Sequence, residues 1–210
     1  MKVSVLYLYY DIMNLYGENG NIRMIERVLT DKGAEVRVDR KTITDSEIDF
    51  ESYDFIYCGA GTELSRDVCL GHLSGFSQSL KNAYEKNKVM LFTGNSYEML
   101  GKTIRTASGE DVDGLGIFDF NVEEQKKNRY SGDVKLTSKL FAQTFIGYIN
   151  KCSRVEGIKN PLFEVEVMAG NLECIADGIH EKNFYGTQVI GPIMVKNPDF
   201  AEHIAKLITG

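Results

Sequence analysis

Apolar runs alternate with amphipathic stretches through the first half of the chain. The largely apolar segment Met1–Tyr10 predicts a strand buried on both faces, as in a parallel sheet. Asn21–Lys32 has apolar residues at helical spacing, which predicts a helix with Asn21 as its N-cap and Gly33 at its end. Further strands and a long helical stretch are predicted at Ala34–Val38, Asp54–Cys58, Val89–Phe92 and Leu64–Asn87. Strands that alternate with helices in this way predict a mostly parallel α/β sheet.

The second half of the chain has a different pattern. Short strand-like segments are separated by glycines and polar turns, without long helices between them. These predicted strands are Gly114–Phe118, Asp133–Leu136, Thr144–Ile149, Phe163–Met168 and Tyr185–Ile190, and a closing helix is predicted at Phe200–Ile208. We therefore expect one domain over residues 1–210, with helices flanking a mostly parallel central sheet in three layers and antiparallel additions from the C-terminal half.

Composition narrows the class of protein. The 210 residues are enough to bury a substantial core, and the net charge of −6 argues against a nucleic-acid partner. The four cysteines form no CxxC pair and have no histidines at metal-ligand spacing, so we expect reduced thiols and neither a metal nor a cofactor. They are Cys58, Cys69, Cys152 and Cys174. The sequence contains no recognisable signal peptide and no bilayer-length apolar stretch, which predicts a cytoplasmic protein without a membrane partner.

The segment Val89–Lys102 has the pattern of a strand, a sharp turn and a helix N-terminus. In α/β enzymes such a turn exposes a nucleophile, and the free N–H groups of the helix stabilise negative charge beside it. The residue at the tip here is Gly94, which has no side chain to attack with. The sequence therefore predicts the frame of a catalytic elbow in which the nucleophile is missing.

Neighbouring residues offer no obvious substitute for that nucleophile. Ser96 lies in an incomplete G-x-S-x-G pattern, and a helix-capping serine is the favoured interpretation. Cys58 ends an apolar strand and is interpreted as a buried structural thiol. Surface or structural roles are expected for the three histidines, which are His72, His180 and His203.

Six segments, in order along the chain, resemble one enzyme family. They are NLYGENGNI at 14–22, GAG at 59–61, GNSYEMLGK at 94–102, DGLGI at 113–117, NRYSGD at 128–133 and GTQVIGP at 186–192, the last followed by KNP at 196–198. Together they are similar to the class I (triad) glutamine amidotransferases, in the branch that contains cobyric acid synthase glutaminase domains and the glutaminase subunit of lipid II isoglutaminyl synthase. The resemblance implies a flavodoxin-like three-layer fold.

The differences from the family fall on its chemistry. The resemblance implies glutamine hydrolysis by a cysteine at the elbow, whose thiolate attacks the amide carbon, and by a histidine that activates the thiol and protonates the departing ammonia. The matching positions here are Gly94 and Ile190, so no catalytic residue is predicted. The two glycines after the cysteine have become Asn95 and Ser96, and a glutamine has become Glu98.

The resemblance also implies a substrate pocket, to which six residues are assigned. They are Gly59, Ala60, Gly61, Asn95, Glu98 and Arg129. The glycine turn at 59–61 matches an oxyanion turn, although a plain tight turn explains it equally well. Arg129 matches an arginine implied to bind glutamine, and an exposed loop arginine is its alternative. We predict that Glu98 pairs with Arg129 directly or through water, against the alternative that Glu98 points to solvent from the first turn of its helix.

These expectations lead to three hypotheses of function. In the first, the chain is a degenerate glutamine amidotransferase-like subunit without glutaminase chemistry, in a heterodimer with a Mur-ligase-like synthetase that amidates a cell-wall precursor. A small amino acid would then be its ligand. The second hypothesis is an enzyme with new chemistry built on Glu98, Ser96 and Arg129. The third is a stand-alone module that binds a small molecule.

Overall fold

The computed structural model describes residues 1–127, 129–170 and 175–210 of the chain. Asn128 and Cys174, both named above, lie outside the described residues. The strands are β1 (Lys2–Leu8), β2 (Glu35–Lys41), β3 (Phe55–Cys58), β4 (Val89–Thr93), β5 (Thr103–Arg105), β6 (Asp111–Asp113), β7 (Asn121–Glu124), β8 (Tyr130–Ser138), β9 (Phe141–Lys151), β10 (Ser153–Glu156), β11 (Phe163–Met168), β12 (Ala176–Asp177), β13 (Ile179–Glu181), β14 (Phe184–Thr187) and β15 (Val189–Ile190). The helices are α1 (Asn19–Asp31), α2 (Glu63–Ser74), α3 (Ser77–Glu85), α4 (Ile193–Lys196) and α5 (Pro198–Thr209), with 3₁₀ helices at Phe50–Ser52 and Gly94–Leu100.

The central sheet has six strands in the order β13-β14-β4-β3-β1-β2. All neighbouring pairs are parallel except β13 and β14. Side chains alternate across a strand, so Val3, Val5 and Tyr7 of β1 enter one core while Leu6 and Leu8 enter the other. The first core also holds α1, α4 and α5, and the second holds α2 and α3. This arrangement confirms the predicted three-layer α/β fold with a mostly parallel central sheet.

The C-terminal half adds two smaller sheets. One has five strands in the order β12-β11-β8-β9-β15, with antiparallel pairs throughout, and it contributes Leu136, Phe145 and Phe163 to the first core. The other has four strands in the order β10-β7-β5-β6, of which β5 and β7 are parallel. The predicted antiparallel additions are therefore confirmed. None of the helices in the described part of the chain is long and apolar enough to cross a bilayer.

The start of α1 differs from the prediction and its end agrees with it. The helix begins two residues before Asn21, so Asn21 is not its N-cap. The Asn21 side chain is instead buried, where its Nδ2 donates to the Tyr57 hydroxyl at 2.8 Å and its Oδ1 accepts from the Met194 N–H at 2.9 Å. Gly33 ends the helical region as predicted, with a φ of +84° that favours glycine.

Three predicted elements in the rest of the chain need correction. The helical stretch Leu64–Asn87 is broken at Gly75 into α2 and α3. The predicted strand Gly114–Phe118 is wrong, because its N–H groups bond to the carbonyl groups that end the second 3₁₀ helix rather than to a strand. The predicted strand Tyr185–Ile190 divides at Gln188, where the chain leaves the central sheet as β14 and joins the five-stranded sheet as β15.

Candidate functional site

The elbow follows β4 at the carboxyl edge of the central sheet. Gly94, at its tip, has a φ of +60°, a backbone geometry that favours glycine. The predicted helix at the elbow is a 3₁₀ helix, Gly94–Leu100. Ser96 is buried inside it, and its hydroxyl donates to the carbonyl oxygens of Cys58 and Thr93 at 3.0 and 2.8 Å. Ser96 therefore ties the elbow to the end of β3, and its interpretation as a helix cap is wrong.

The positions of the family nucleophile and base lie side by side, and the space between them is filled. A Cβ atom built at Gly94 would lie 2.4 Å from the Ala60 Cβ and 2.9 Å from the Ile190 Cγ2. Both distances are shorter than real contacts between carbon atoms. The strand β15 thus delivers Ile190 to the place where the family carries its histidine, and a hydrocarbon side chain occupies that place. The frame of the dyad is retained without a group that could transfer a proton.

The glycine turn after β3 packs too closely for larger residues. A Cβ at Gly59 would lie 2.4 Å from the Met13 carbonyl oxygen, and one at Gly61 would lie 2.5 Å from the Met13 sulfur. The Gly61 N–H donates to Asn95 Oδ1 at 3.1 Å, and Asn95 Nδ2 donates to the carbonyl oxygens of Gly61 and Thr62 at 3.0 and 3.2 Å. The turn therefore presents an N–H donor toward the elbow, and the carboxamide of Asn95 accepts its hydrogen bond.

Glu98 is held by a buried polar network. Its side chain is 1% exposed, and its Oε2 accepts from Arg66 at 2.8 Å. The other carboxylate oxygen accepts from Gln188 Nε2 at 2.7 Å and from the Ser153 hydroxyl. Burial alone would lower the pKa of the Arg66 guanidinium, but the neighbouring carboxylates outweigh burial and raise it above its usual value.

The predicted direct pair between Glu98 and Arg129 is wrong, and so is the alternative of a solvent-exposed Glu98. The partner of Glu98 is Arg66, which projects from α2, while Arg129 pairs with Glu63 at 2.9 Å in a half-exposed position. Both partners, Arg66 and Glu63, are on α2, which begins directly after the glycine turn. The first turns of α2 therefore supply a charged partner to each of the two predicted residues.

A small cavity lies between these groups. It is lined by Ala60, Gly61, Asn95, Glu98, Arg129 and Ile190. Five of these were predicted as substrate-binding residues, and Gly59 lies in the adjoining turn. The cavity has a volume of about 10 Å³, which is close to the space that one water molecule needs. Its other lining side chains, which the sequence did not predict, are Tyr16, Glu63, Asn150, Lys151, Cys152, Ser153 and Gln188.

The thiols near the site are protonated at neutral pH. Burial raises the pKa of Cys58 well above its usual value, in agreement with a structural thiol. Cys152 lines the cavity and donates to the Glu63 carboxylate at 3.3 Å, and burial followed by that carboxylate raises its pKa to about 12. A thiol attacks as the thiolate, so neither cysteine is activated. In the described part of the chain no cluster of histidine, cysteine, aspartate and glutamate could hold a metal ion.

The histidines make structural contacts outside the cavity, as predicted. His72 is hydrogen bonded to the Tyr9 hydroxyl at 2.9 Å, and His203 to the Tyr185 hydroxyl at 2.8 Å. The His180 ring packs against the Tyr185 ring with 4.7 Å between centroids.

A buried carboxyl group under the elbow was not predicted. Glu18 accepts from the Tyr57 hydroxyl at 2.8 Å, from Thr93 Oγ1 at 3.0 Å and from the Gly191 N–H at 2.9 Å. Burial raises its pKa from 4.5 to about 7, although these hydrogen bonds oppose the shift. Glu18 belongs to the first of the six segments and Gly191 to the last, so this side chain links the two ends of the site.

The elbow after β4, the glycine turn after β3 and the segment β14–β15 lie together as in class I glutamine amidotransferases. The chain belongs to the family of the CobB/CobQ-like glutamine amidotransferase domain, which matches residues 4–198. It is 31% identical over 203 residues to the lipid II isoglutaminyl synthase (glutamine-hydrolyzing) subunit GatD of Streptococcus pneumoniae, covering 95% of this chain and 78% of that protein. The GatD subunit of Staphylococcus aureus is also 31% identical, over 204 residues that cover 97% of this chain and 83% of that protein.

Solved structures agree with this family at the level of the fold. A glutamine amidotransferase crystal structure has a TM-score of 0.64 at 14% identity, covering 98% of this chain and 99% of the other. A glutamine amidotransferase from Thermotoga maritima has a TM-score of 0.58 at 14% identity, covering 99% of this chain and 89% of the other.

Proposed function

We propose that this chain is a glutamine amidotransferase-like subunit without glutaminase activity, and that it is a structural or regulatory partner of a Mur-ligase-like amidating synthetase. Membership of the family and the 31% identity to two GatD subunits of lipid II isoglutaminyl synthase support this setting. In it, the synthetase amidates a carboxylate of a cell-wall precursor while bound to this chain as a heterodimer.

The observation that carries the loss of glutaminase activity is the filled dyad. Hydrolysis of an amide by this class needs a nucleophile at the elbow and a base beside it. Gly94 provides no nucleophile, and a Cβ at that position would lie 2.4 Å from the Ala60 methyl carbon. Ile190 is 3% exposed and is a hydrocarbon, so it neither accepts nor donates a proton. Neither position therefore supplies the nucleophile or the base, and the Ala60 methyl group takes the space of a side chain at position 94.

The groups named in the second hypothesis are engaged elsewhere. The Ser96 hydroxyl donates to two backbone carbonyl groups, and Glu98 receives hydrogen bonds from Arg66, Ser153 and Gln188. These contacts are typical of structural polar groups whose bonds are satisfied. They favour a subunit without chemistry of its own over an enzyme with a new reaction.

An ammonia-release assay tests the loss of activity. Purified protein is incubated with L-glutamine, alone and with its synthetase, and ammonia and glutamate are measured. The Streptococcus pneumoniae GatD relative, whose name specifies glutamine hydrolysis, is assayed in parallel as the positive control. We expect no release above the buffer rate. Release by the parent would refute the proposal, and its loss in Cys152→Ser would assign the activity to the cavity thiol.

Co-expression tests the partnership. The chain is produced together with the Mur-ligase-like synthetase of the same genome, and the mixture is separated by size-exclusion chromatography with mass determination. We expect a complex with one copy of each protein. Separate elution of the two proteins at micromolar concentration would remove the support for a heterodimer.

A further inference from the structure

The carboxamide of Asn95 makes the contacts that an amide ligand would make at the glycine turn. Its oxygen accepts from the Gly61 N–H at 3.1 Å, and its nitrogen donates to the carbonyl oxygens of Gly61 and Thr62 at 3.0 and 3.2 Å. The group is a primary carboxamide, which is also the reacting group of glutamine. Both its acceptor and its donors are used, so the turn has an amide bound to it already.

We propose that Asn95 is an internal substitute for the substrate amide, and that it closes this site to free glutamine. The proposal rests on the proposed function, because a chain that still hydrolysed glutamine would need the same site open. It adds that the chain has lost binding of the family substrate as well as its chemistry, and it names Asn95 as the residue that determines this.

The remaining space supports a closed site. The cavity beside Asn95 has a volume of about 10 Å³, which leaves room for about one water molecule. A carboxamide on a hydrocarbon chain needs more space than one water molecule. A glutamine molecule therefore enters only if a side chain of the lining moves out, and Asn95 is the lining residue that holds the amide contacts.

The two charged residues predicted to bind substrate, Arg129 and Glu98, are also paired within the protein. Arg129, which the resemblance assigned to the substrate, already holds the Glu63 carboxylate at 2.9 Å. Glu98, which also lines the cavity, is paired with Arg66 at 2.8 Å. A free amino acid would thus have to displace the Glu63 carboxylate from Arg129 and the Asn95 amide from the glycine turn.

Tethering makes the internal amide a strong competitor. Asn95 is fixed next to the turn by the 3₁₀ helix, so its effective concentration there exceeds that of a dissolved ligand at millimolar concentration. The apparent affinity for a free amide is reduced by the fraction of molecules in which Asn95 has left the turn. Removal of the side chain should therefore strengthen glutamine binding by about tenfold or more.

The variant Asn95→Gly tests this directly, since it removes the carboxamide and restores the family residue. Asn183→Gly is the matched control, because the Asn183 carboxamide also donates to a backbone carbonyl, at 2.8 Å, but lies in a turn away from the cavity. L-Glutamine is titrated into ¹⁵N-labelled protein, and the Gly61 amide signal is followed. We expect saturable shifts in Asn95→Gly, and none in the parent or in Asn183→Gly.

Saturable glutamine shifts at Gly61 in the parent would overturn the inference, and so would their absence in a folded Asn95→Gly variant. If that variant does not fold, the parent alone decides. The Asn95 NH₂ donates to two backbone carbonyl groups and that of Asn183 to one, so exchange of the Asn95 side-chain protons should be about tenfold slower, and equal rates would overturn the inference. Ammonia release from glutamine by the parent refutes the proposed function, whereas binding without release refutes only the role of Asn95.

Discussion

Gly94→Cys restores the family nucleophile, and we expect it to destabilise the fold for two separable reasons. A non-glycine residue at a φ of +60° costs on the order of 1–2 kcal/mol of unfolding free energy. The new Cβ would also lie 2.4 Å from the Ala60 Cβ and 2.9 Å from the Ile190 Cγ2. The side-chain and backbone shifts that such overpacking forces typically cost about 1–3 kcal/mol of unfolding free energy. The expected total is about 2–5 kcal/mol, measured by urea unfolding under reducing conditions.

Gly116→Cys separates the two contributions. Gly116 has the same φ of +60°, but a Cβ there meets no atom within 4 Å. This control therefore carries the backbone strain without the overlap, and it should cost only about 1–2 kcal/mol.

A double-mutant cycle with Ala60→Gly checks the cause of the difference. In the parent, loss of the Ala60 methyl should cost about 1 kcal/mol, because glycine loses more conformational freedom on folding. In the Gly94→Cys background the same change removes the nearest overlapping atom, so it should be stabilising, with a coupling energy of about 1–3 kcal/mol. The reasoning is refuted if Gly94→Cys destabilises the protein no more than Gly116→Cys does. A coupling energy near zero between positions 60 and 94 would refute it as well.

Three further predictions concern the surroundings of the elbow. Folding favours the protonated Glu18 carboxyl, with its pKa raised from 4.5 to about 7, so its contribution to stability is complete below pH 4.5 and is lost as the pH rises through 7. Between pH 4.5 and 8 the unfolding free energy of the parent, measured in urea, should therefore fall by up to about 3 kcal/mol more than that of Glu18→Gln. Parallel pH profiles of the two proteins would contradict this. Arg66→Met leaves buried carboxylates without their cation and should lower the unfolding free energy by about 3–5 kcal/mol. Adding Glu98→Gln to this variant should recover part of the loss. A loss near zero in Arg66→Met would argue against the network. Gly61→Ala should lower the melting temperature, because the new Cβ would lie 2.5 Å from the Met13 sulfur. In the control Gly71→Ala the new Cβ meets no atom within 4 Å, so the melting temperature should stay unchanged or rise. Equal melting temperatures of the two variants would contradict the packing argument.

Sequence reasoning succeeded where the signal is local. The buried strand β1, the glycine that ends α1 and the elbow with Gly94 at its tip each follow from the identity of one residue or from a short apolar run. The predicted strand Gly114–Phe118 failed because its N–H groups bond to carbonyl groups at the end of the second 3₁₀ helix, which no periodicity within the segment records. A short apolar run looks the same in either setting.

The polar contacts of the site could not be read from the motifs alone. Glu98 and Arg129 both line the cavity, yet each is paired with a residue of α2, at 2.8 Å to Arg66 and 2.9 Å to Glu63. Those partners depend on how α2 lies against the elbow, which is a tertiary property. Their position directly after the glycine turn was the available signal. Glu18 likewise lay within a recognised motif, but its burial became evident only from the packing of β3, β4 and the segment after β15.

The contact between Ala60 and the elbow also bears on the history of the chain. A methyl group at position 60 and a Cβ at position 94 overlap in this backbone, so we expect that the methyl entered the turn together with the loss of a side chain at the tip, or after it. From then on, a single codon reversion at position 94 produces a less stable protein and is opposed by selection. The alanine at position 60 therefore makes the loss of the side chain at position 94 hard to reverse. Descendants of this lineage are expected to retain glycine at the elbow for as long as they retain alanine in the turn.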